Sequence, residues 1–206
     1  MQPLKIIHPT GETVTYHTLE AFNLAMGVEP LPHLDFADYR VMESVLKRCQ
    51  KALKREWITP KQKWLGVWHA KEILSGFFCD AYIQWIDPVL KYGVFANRDL
   101  PAHSFVGEYT GILRRRPLFR KRNDYCFEYA IGESRGSPFM IDAERAASLA
   151  RFINHSDTPN LEPVSVFCGG LMHIILIALR PIPKGTQLCY DYGPDYWAKR
   201  QKPEPI

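Results

Sequence analysis

From about residue 81 onward, short β-prone runs alternate with glycine and proline, and this pattern restricts the fold more than any other feature. The runs predict strands at Tyr82–Ile86, Gly93–Asn97, Phe105–Tyr109, Ile112–Arg114, Tyr125–Ile131, Phe139–Asp142, Leu171–Leu179 and Gln187–Tyr190. An alanine-rich stretch between them predicts one helix, over Glu144–Arg151. Because so little helix separates the strands, the sequence argues against a doubly wound sheet and favours a mostly β fold with some α.

The N-terminal segment, 1–60, has a helical pattern instead. Thr18–Met26 is predicted as a short helix that ends at Gly27, and a longer helix is predicted over Asp35–Trp57. Apolar residues spaced three and four apart form one stripe along the longer helix: Val41, Met42, Val45, Leu46, Cys49, Ala52, Leu53 and Trp57. We therefore expect a helical N-terminal extension (1–80), a β domain (81–197) and a short tail (198–206).

The opposite face of the longer helix is basic. Its cations are Lys47, Arg48, Lys51, Lys54 and Arg55. A solvated helix face explains them, and so does a docking surface for an acidic partner or for a second subunit. The last alternative implies a homodimer through the N-terminal helices.

Charge and cysteine content narrow the class of protein. The 206 residues carry a formal net charge of +4 and include five cysteines. Because the cysteines lie far apart and form no C-x-x-C pair, neither a zinc site nor a disulfide framework is indicated, and a reducing intracellular compartment is favoured. The longest apolar run, Leu171–Leu179, is about half of what a membrane-spanning helix needs. We expect a soluble protein without membrane contact.

Common catalytic motifs are missing from the sequence. It contains no G-x-G-x-x-G after a strand, no P-loop and no G-x-S-x-G elbow. His155, Ser156 and Asp157 are contiguous, and neighbours in one turn cannot face one another as a catalytic triad does. The histidines show no metal-ligand spacing, so no metal site is predicted.

Two short clusters are more informative when they are taken together. The first is Arg151–Asn160, with the sequence R-F-I-N-H-S-D-T-P-N, and the second is Leu188–Gly193, with L-C-Y-D-Y-G. Each alone is typical of a polar turn or of a strand end. In this order, and about 30 residues apart, they resemble the SET-domain family of protein lysine methyltransferases. Further similarities to the family lie upstream, at Tyr92–Ala96, Gly107–Gly111 and Phe139–Ala143.

The resemblance implies a fold and an activity. The fold consists of short β-sheets with a C-terminal pseudoknot, in which the last strand passes beneath the N-H-S loop. The activity is transfer of a methyl group from S-adenosylmethionine to a lysine ε-amine of a basic protein, either a histone or a histone-like DNA-binding protein.

The resemblance also implies roles for particular residues. Tyr192 stands at the position of the catalytic tyrosine. The substrate-lysine channel is implied to be lined by Tyr109, Tyr125 and Tyr190. The cofactor is implied to contact Lys91, Tyr92, Gly93, Arg151, Phe152, Asn154, His155 and Trp197.

Three departures from the family pattern affect these expectations. Lys91 stands where the family's G-x-G motif has its first glycine, so the backbone geometry there is in question. The cysteine-rich zinc segments of many eukaryotic members are missing, and Tyr196 and Trp197 are the candidates to complete the lysine channel instead. The N-terminal segment, 1–60, does not resemble the flanking regions typical of the family. Compact zinc-free chains of this kind are similar to bacterial members, including chlamydial ones, which implies the bacterial cytoplasm, or a host nucleus for a secreted effector.

Two alternatives from other classes stay open. The chain could be a catalytically weak SET-fold module that binds basic peptides or chromatin. The basic run formed by Arg114–Arg116 and Arg120–Arg122 could instead contact nucleic acid directly.

Overall fold

A computed structural model describes residues 3–117, 123–132, 137–198 and 200 of the chain. Its helices are α1 (Leu19–Met26), α2 (Tyr39–Lys54), α3 (Pro60–Trp68), α4 (Ala70–Leu74) and α5 (Pro194–Trp197). Its strands are β1 (Leu4–Ile7), β2 (Thr13–Tyr16), β3 (Glu29–Pro30), β4 (Asp35–Phe36), β5 (Ala81–Trp85), β6 (Tyr92–Ala96), β7 (Phe105–Glu108), β8 (Ile112–Arg115), β9 (Cys126–Glu128), β10 (Phe139–Asp142), β11 (Ala146–Ala147), β12 (Asn154–His155), β13 (Leu161–Cys168), β14 (Leu171–Ala178) and β15 (Cys189–Tyr190). The predicted mostly β fold with some α is confirmed. Residues 120–122 of the basic run and residues 199 and 201–206 of the predicted tail lie outside the described residues.

The strands form small sheets around a shared core. In the described residues the sheet orders are β2-β1-β5-β6, β4-β8-β10-β9, β11-β3 and β12-β15-β13-β14-β7. One continuous cluster of buried side chains reaches from Ile6 in β1 to Tyr190 in β15, so the N-terminal part and the β domain share a core.

The N-terminal part also contributes strands to three of these sheets. β1 pairs in parallel with β5, β3 with β11, and β4 with β8. The expectation of helix throughout the N-terminal segment is therefore right for α1 and α2 and wrong for these strands and for β2. The short runs escape sequence analysis because their stability comes from strands that lie far away in the chain.

Local capping signals determine where α1 and α2 begin. Thr18 caps α1 by accepting a 3.2 Å hydrogen bond from the Ala21 amide, and Gly27 ends it with a left-handed φ of 64°. Asp38 caps α2 by accepting a 2.8 Å bond from the Val41 amide. The start predicted at Asp35 is early because Asp35–Phe36 is taken by strand β4. α2 ends at Lys54, before the predicted end at Trp57.

The apolar stripe of α2 is used within the protein itself. Val41, Val45, Cys49 and Ala52 are all buried, and α2 packs against β14, β4 and β8. Leu53 and Trp57, at the end of the predicted stripe, are exposed. Because the central part of the stripe already lies in the core, the structure lends no support to the predicted homodimer.

The region after residue 143 departs most from the sequence prediction. Instead of a helix over Glu144–Arg151, it contains the two-residue strand β11 and a 3-10 helix over Leu149–Phe152. The carbonyls of Arg145 and Ala147 accept hydrogen bonds of 2.8 and 2.9 Å from the β3 segment. Pairing with a distant strand thus overrides the helix propensity of alanine.

Two other elements were missed for identifiable reasons. Strand β13 contains Pro163, a residue that weakens a strand prediction, but β13 pairs with β14 along its whole length. Helix α3 begins at Pro60, and Thr59 and Gln62 form a capping box before it. The Thr59-Pro60 signal therefore ends one segment and also starts the next helix.

The C-terminal strand passes through the loop that precedes β13. β15 lies between β12 and β13 and runs parallel to both. The amide of Ser156 donates to the Tyr190 carbonyl at 3.2 Å, and the amide of Asn160 donates to the Cys189 carbonyl at 3.1 Å. The Asn160 side chain also bonds to the Gln187 carbonyl and the Cys189 amide, at 2.7 and 2.9 Å. This is the predicted pseudoknot, and it brings the two signature clusters together.

Candidate active site

A cavity of about 680 Å³ opens where the two clusters meet. This volume is in the range of known small-molecule sites. Eleven of the twelve residues to which the resemblance gives catalytic, channel or cofactor roles line it: Lys91, Tyr92, Tyr109, Tyr125, Arg151, Phe152, Asn154, His155, Tyr190, Tyr192 and Trp197. Tyr196, the further candidate to complete the lysine channel, lines it as well. The twelfth, Gly93, is buried and does not line the cavity, and a Cβ added to it would stand 3.2 Å from Nδ2 of Asn154. Side chains that are widely separated in the sequence therefore converge on one space.

One part of the cavity is a cluster of tyrosines. The rings of Tyr190 and Tyr192 lie 4.9 Å apart, and the Tyr109 hydroxyl donates a 2.9 Å hydrogen bond to the Tyr125 carbonyl. The Phe127 ring packs against both Tyr109 and Tyr190, with distances between ring centres of 5.2 Å and 6.4 Å. A ligand in this part of the cavity would therefore contact aromatic side chains.

Tyr192 is held on two sides by the segment that β15 passes beneath. Its hydroxyl donates a 2.8 Å hydrogen bond to the Ile153 carbonyl, and its amide donates a 3.1 Å bond to Nδ1 of His155. The pseudoknot therefore determines where the phenol oxygen lies.

Burial keeps these phenols neutral. Desolvation raises the pKa of Tyr109, Tyr190 and Tyr192 well above the usual value, and neighbouring tyrosines raise it further. At neutral pH all three hydroxyls carry a proton, so none of them acts as an anionic base.

The opposite part of the cavity is polar and built on β6 and β12. Nδ2 of Asn154 donates a 3.1 Å hydrogen bond to the Tyr92 carbonyl, which joins the two strands. Lys91 precedes Tyr92 with a φ of 61°, a left-handed conformation that favours glycine. The backbone thus adopts at Lys91 a shape that suits the glycine it replaces.

Arg151 and Phe152 support the wall between these two parts. The Arg151 guanidinium lies 3.7 Å from the Tyr125 ring centre, and its Nε donates a 2.7 Å bond to the Ala143 carbonyl. The Phe152 ring packs edge-on against Phe22 of α1 at 6.4 Å. Burial lowers the pKa of Arg151, but a guanidinium stays charged in proteins, so the wall carries a positive charge.

Aromatic residues of α5 close the cavity. The Trp197 ring is stacked with Tyr192 at 6.0 Å and meets the His155 ring edge-on at 4.8 Å. Tyr196 contacts both Tyr192 and Trp197, at 4.7 and 4.8 Å. Nε1 of Trp197 is buried and has no hydrogen-bond partner among the described residues.

Arg200 attaches this C-terminal segment to the chain before β9. Its Nε lies 2.9 Å from the Asp124 carboxylate, and its Nη2 donates a 3.1 Å bond to the Asn123 carbonyl. Its guanidinium also lies 4.2 Å from the Tyr196 ring centre. Arg200 was not singled out from the sequence, because nothing near it in the chain signals this contact.

The N-terminal part supplies another wall that sequence analysis missed. Ala25 and Met26, at the end of α1, line the cavity. Residues from three other segments also line it: Val89, Leu90, Asp124, Cys126, Phe127, Glu128, Gly193, Pro194 and Asp195. The Tyr92 hydroxyl lies 3.4 Å from Nδ1 of His8, whose Nε2 lies 3.2 Å from the Tyr16 hydroxyl. The β1–β2 hairpin is thereby linked to the cavity wall.

The described residues contain neither a cluster of metal ligands nor a membrane-spanning helix. No group of three or more histidine, cysteine, aspartate or glutamate side chains is placed to hold a metal ion in this part of the chain. None of the helices in the described ranges has the length and apolar character needed to cross a membrane.

Comparison with known proteins assigns the family. The SET-domain family model matches residues 91–193, half of the chain, and the chain belongs to this family. The match covers both signature clusters, the pseudoknot and most of the cavity wall.

The relatives it matches are histone-lysine methyltransferases. The chain is 37% identical over 107 residues to histone-lysine N-methyltransferase trithorax of Drosophila virilis, covering 48% of this chain and 3% of that protein. It is 39% identical over 103 residues to human histone-lysine N-methyltransferase 2B, covering 48% of this chain and 4% of that protein. A crystal structure of KRYPTONITE in complex with mCHH DNA, H3(1-15) peptide and SAH aligns with a TM-score of 0.47 at 32% identity, covering 55% of this chain and 23% of that one. The chain thus spans a small part of these much longer relatives.

Proposed function

We propose that the chain is a protein-lysine N-methyltransferase that uses S-adenosylmethionine and acts on a basic protein, a histone or a histone-like DNA-binding protein. The observation that carries the proposal is the position of the Tyr192 hydroxyl, which the pseudoknot holds beside a cluster of tyrosines in the same cavity as Asn154 and Lys91. Membership of the SET-domain family and the histone-lysine methyltransferase relatives support it.

The cavity fits S-adenosylmethionine chemically. This cofactor carries a carboxylate, an ammonium, a sulfonium and an adenine. Lys91 and Arg151 supply positive charge for a carboxylate, and Trp197 supplies an aromatic face for adenine. The orphaned Nε1 of Trp197 is a buried donor without a partner among the described residues, which is expected where a bound molecule provides the acceptor.

We assign cofactor binding to the polar side of the cavity. The backbone of Lys91, Tyr92 and Gly93 would meet the amino-acid end of the cofactor, and Asn154 would bind the same end while holding Tyr92. The residues that would shape the rest of this site are Arg151, Phe152, His155 and Trp197. S-adenosylmethionine, when bound, supplies a methyl group activated by the adjacent sulfonium.

The tyrosine cluster prepares the substrate lysine. A lysine ε-amine has an unperturbed pKa of about 10.4 and carries almost no lone pair at neutral pH. Tyr109, Tyr125 and Tyr190 would surround its stem with aromatic faces, exclude water and so lower its pKa. The proton leaves to water, and the channel needs no carboxylate base.

Tyr192 would orient the reacting centre. Because its hydroxyl proton is donated to the Ile153 carbonyl, the oxygen lone pairs stay available as acceptors. Such an oxygen accepts the weak C–H···O contacts that a polarised methyl group offers.

Charge near the cavity supports a basic substrate. Asp195 lines the cavity, and Asp191 lies exposed beside Tyr192 in the sequence, 3.5 Å from Nδ1 of His155. These carboxylates would attract lysine- and arginine-rich segments, as a histone tail or a histone-like protein provides. The bacterial origin and the compartment inferred from the sequence stay predictions.

Mass spectrometry of basic proteins incubated with the chain and isotopically labelled S-adenosylmethionine tests the proposal. We expect labelled methyl groups on lysine with the wild type and none with Tyr192→Phe, used as the matched control. Calorimetry with the cofactor and with a basic peptide, compared with the transfer assay, separates the enzyme from the alternative binding module. A chain that binds cofactor and peptide without transferring methyl would be the catalytically weak module instead.

A further inference from the structure

The exposed side of α2 carries a dense group of cations outside the cavity. Lys47, Gln50, Lys51, Lys54 and Arg55 surround a surface cleft of about 280 Å³. Arg48, on the same helix, and Arg115 each have the guanidinium 5.6 Å from the centre of the Phe139 ring. We call this set of cations (Lys47, Arg48, Lys51, Lys54, Arg55 and Arg115) the basic face. None of its members lines the active-site cavity.

Most of these charges have no counter-ion in the described part of the chain. Lys47 pairs with Glu43 at 2.9 Å, on the same helix. Arg48, Lys51, Lys54, Arg55 and Arg115 form no ion pair with a described residue. A cluster of like charges disfavours the folded protein through self-repulsion, and an anion bound at the cluster removes that cost.

The arginine run noted in the sequence is divided by strand geometry. Arg114 pairs with Asp142 at 3.1 Å and Arg116 with Glu128 at 3.0 Å, so both are largely neutralised. Successive side chains of β8 point to opposite faces, which places Arg115 on the other side, near Arg48. Among the described residues of the run, Arg115 alone is without an ion pair, and α2 contributes most of the surface.

Regular spacing distinguishes the basic face from scattered surface charge. Lys47, Lys51 and Lys54 are four and three residues apart, so the helix separates them by about 6 Å and about 4.5 Å along its axis. With Arg55 they fall within an arc of about 100° around that axis, as the rotation of about 100° per residue requires. A linear polyanion lying along the helix would contact all of them in turn.

An exposed indole adjoins the cations. Trp57 is 42% exposed, and Lys51 and Arg55 lie 6.0 and 5.2 Å from its ring centre. Guanidinium groups bind phosphate through two parallel hydrogen bonds, and an indole can stack on a base or pack on a sugar. An acidic protein segment would need apolar contacts as well, and the central apolar stripe of α2 is buried in the core.

We propose that the basic face binds the phosphate backbone of a nucleic acid without reading its sequence. The proposal goes beyond methyl transfer and does not depend on it, because binding is measured on the protein alone.

Fluorescence anisotropy of a labelled DNA duplex, titrated with the full chain over a series of salt concentrations, tests the proposal. We expect the logarithm of the observed binding constant to fall linearly with the logarithm of the salt concentration. In a triple variant, Lys51→Gln with Lys54→Gln and Arg55→Gln, the slope of this line should be shallower by about 0.9 for each phosphate that the variant no longer neutralises. At low salt its affinity should be at least tenfold weaker.

The matched control removes three exposed lysines elsewhere, through Lys61→Gln, Lys71→Gln and Lys184→Gln. This control lowers the net charge by the same amount as the first triple variant, and it should retain most of the wild-type affinity for DNA. Circular dichroism melting and methyl transfer to a short free peptide should match the wild type for both triples. An equal loss of affinity in the two triples, a wild type that does not bind DNA, or tighter binding to polyglutamate than to DNA would overturn the proposal.

Discussion

The phenol oxygen of Tyr192 and the backbone carbonyl of Ile153 are joined by a 2.8 Å hydrogen bond. The bond links the segment after β15 to the segment before β12, which are 39 residues apart in the chain. It therefore sets the orientation of Tyr192 through the pseudoknot, and the phenol is positioned before any ligand enters.

Tyr192→Phe should lower methyl transfer by orders of magnitude, because the variant loses the hydroxyl proposed to stand at the reacting centre. The Ile153 carbonyl also loses its partner, which should cost about 1 kcal/mol of stability, a small part of the total. Single-turnover methyl transfer measures the first effect, and thermal melting measures the second.

Cofactor affinity is the control for this variant. Calorimetry should give nearly the same Kd for Tyr192→Phe and the wild type, since Asn154 and Lys91 are untouched. Transfer at the wild-type rate would show that Tyr192 is not the catalytic residue.

Arg200→Ala should release α5 from the chain before β9. Loss of the Asp124 ion pair and the Asn123 bond frees Tyr196 and Trp197, which close the cavity. A charged hydrogen bond is worth about 1.5–3 kcal/mol, and we expect roughly half of it to appear as weaker cofactor binding, a change of about four- to tenfold in Kd. Calorimetry measures this.

Arg98→Ala is a suitable control for Arg200, because Arg98 is exposed and does not line the cavity. Its cofactor Kd should equal that of the wild type. If both variants bind the cofactor equally well, α5 does not close the cofactor site.

The sequence predicted the active-site side of the molecule better than its N-terminal side. The predicted strand Phe139–Asp142 matches the observed strand residue for residue. Asn154 and Tyr192 line one cavity, and the sequence indicated this through a family pattern rather than through local periodicity. Met26 and Arg200 could not be found in this way. Met26 reaches the wall because the N-terminal strands join distant sheets, and Arg200 reaches it through a contact 76 residues away in the chain. Such pairings leave no local periodicity.

Replacement of Lys91 should separate backbone strain from charge. Its φ of 61° costs a non-glycine residue roughly 1–2 kcal/mol, whereas glycine adopts it freely but loses about 0.5–1 kcal/mol through chain entropy. Lys91→Gly should therefore melt at a slightly higher temperature than Lys91→Ala, with Lys91→Asn between them.

Cofactor affinity should not follow this order of melting temperatures. All three Lys91 variants lose the same cation, so calorimetry should show a similar modest weakening, below about 1 kcal/mol for an exposed charge. An affinity that tracks the melting temperature would mean that backbone shape, and not the ammonium, matters at Lys91.

The buried phenols should make the protein sensitive to alkali. Burial raises the pKa of Tyr109, Tyr190 and Tyr192 above the value of about 10 that tyrosine has in an unfolded chain. Above that pH the unfolded state binds fewer protons than the folded state, so stability falls as pH rises. The stabilisation is complete below pH of about 10 and is lost as pH rises through the folded pKa values.

Near-ultraviolet absorbance of tyrosinate and circular dichroism, followed together with rising pH, check this prediction. Part of the tyrosinate signal should appear only when the protein unfolds. Tyr190→Phe should shift the unfolding midpoint to higher pH, whereas Tyr39→Phe, at a residue that is 70% exposed, should leave it unchanged. Full ionisation of all tyrosines in the folded protein would contradict the burial of these three.

The final prediction concerns how many methyl groups are added, and it depends on the proposed function. Tyr190 is 5% exposed, lines the cavity and lies 4.9 Å from Tyr192 between ring centres. A hydroxyl at this place can hold a water molecule beside the lysine nitrogen, in the volume that a further methyl group would need. Displacing a well-bonded water costs free energy, because a methyl group cannot replace its hydrogen bonds. The wild type should therefore produce mainly monomethyl-lysine with some dimethyl-lysine.

Tyr190→Phe removes the partner of that water and should shift the product towards di- and trimethyl-lysine, while the first transfer stays near the wild-type rate. Tyr39→Phe is the matched control, because it removes one tyrosine hydroxyl at a residue that is 70% exposed and does not line the cavity, and its product distribution should stay that of the wild type. Mass spectra of a substrate peptide over time decide the matter: a wild type that runs directly to trimethyl-lysine, or a Tyr190→Phe variant with unchanged products, would refute the role of the hydroxyl.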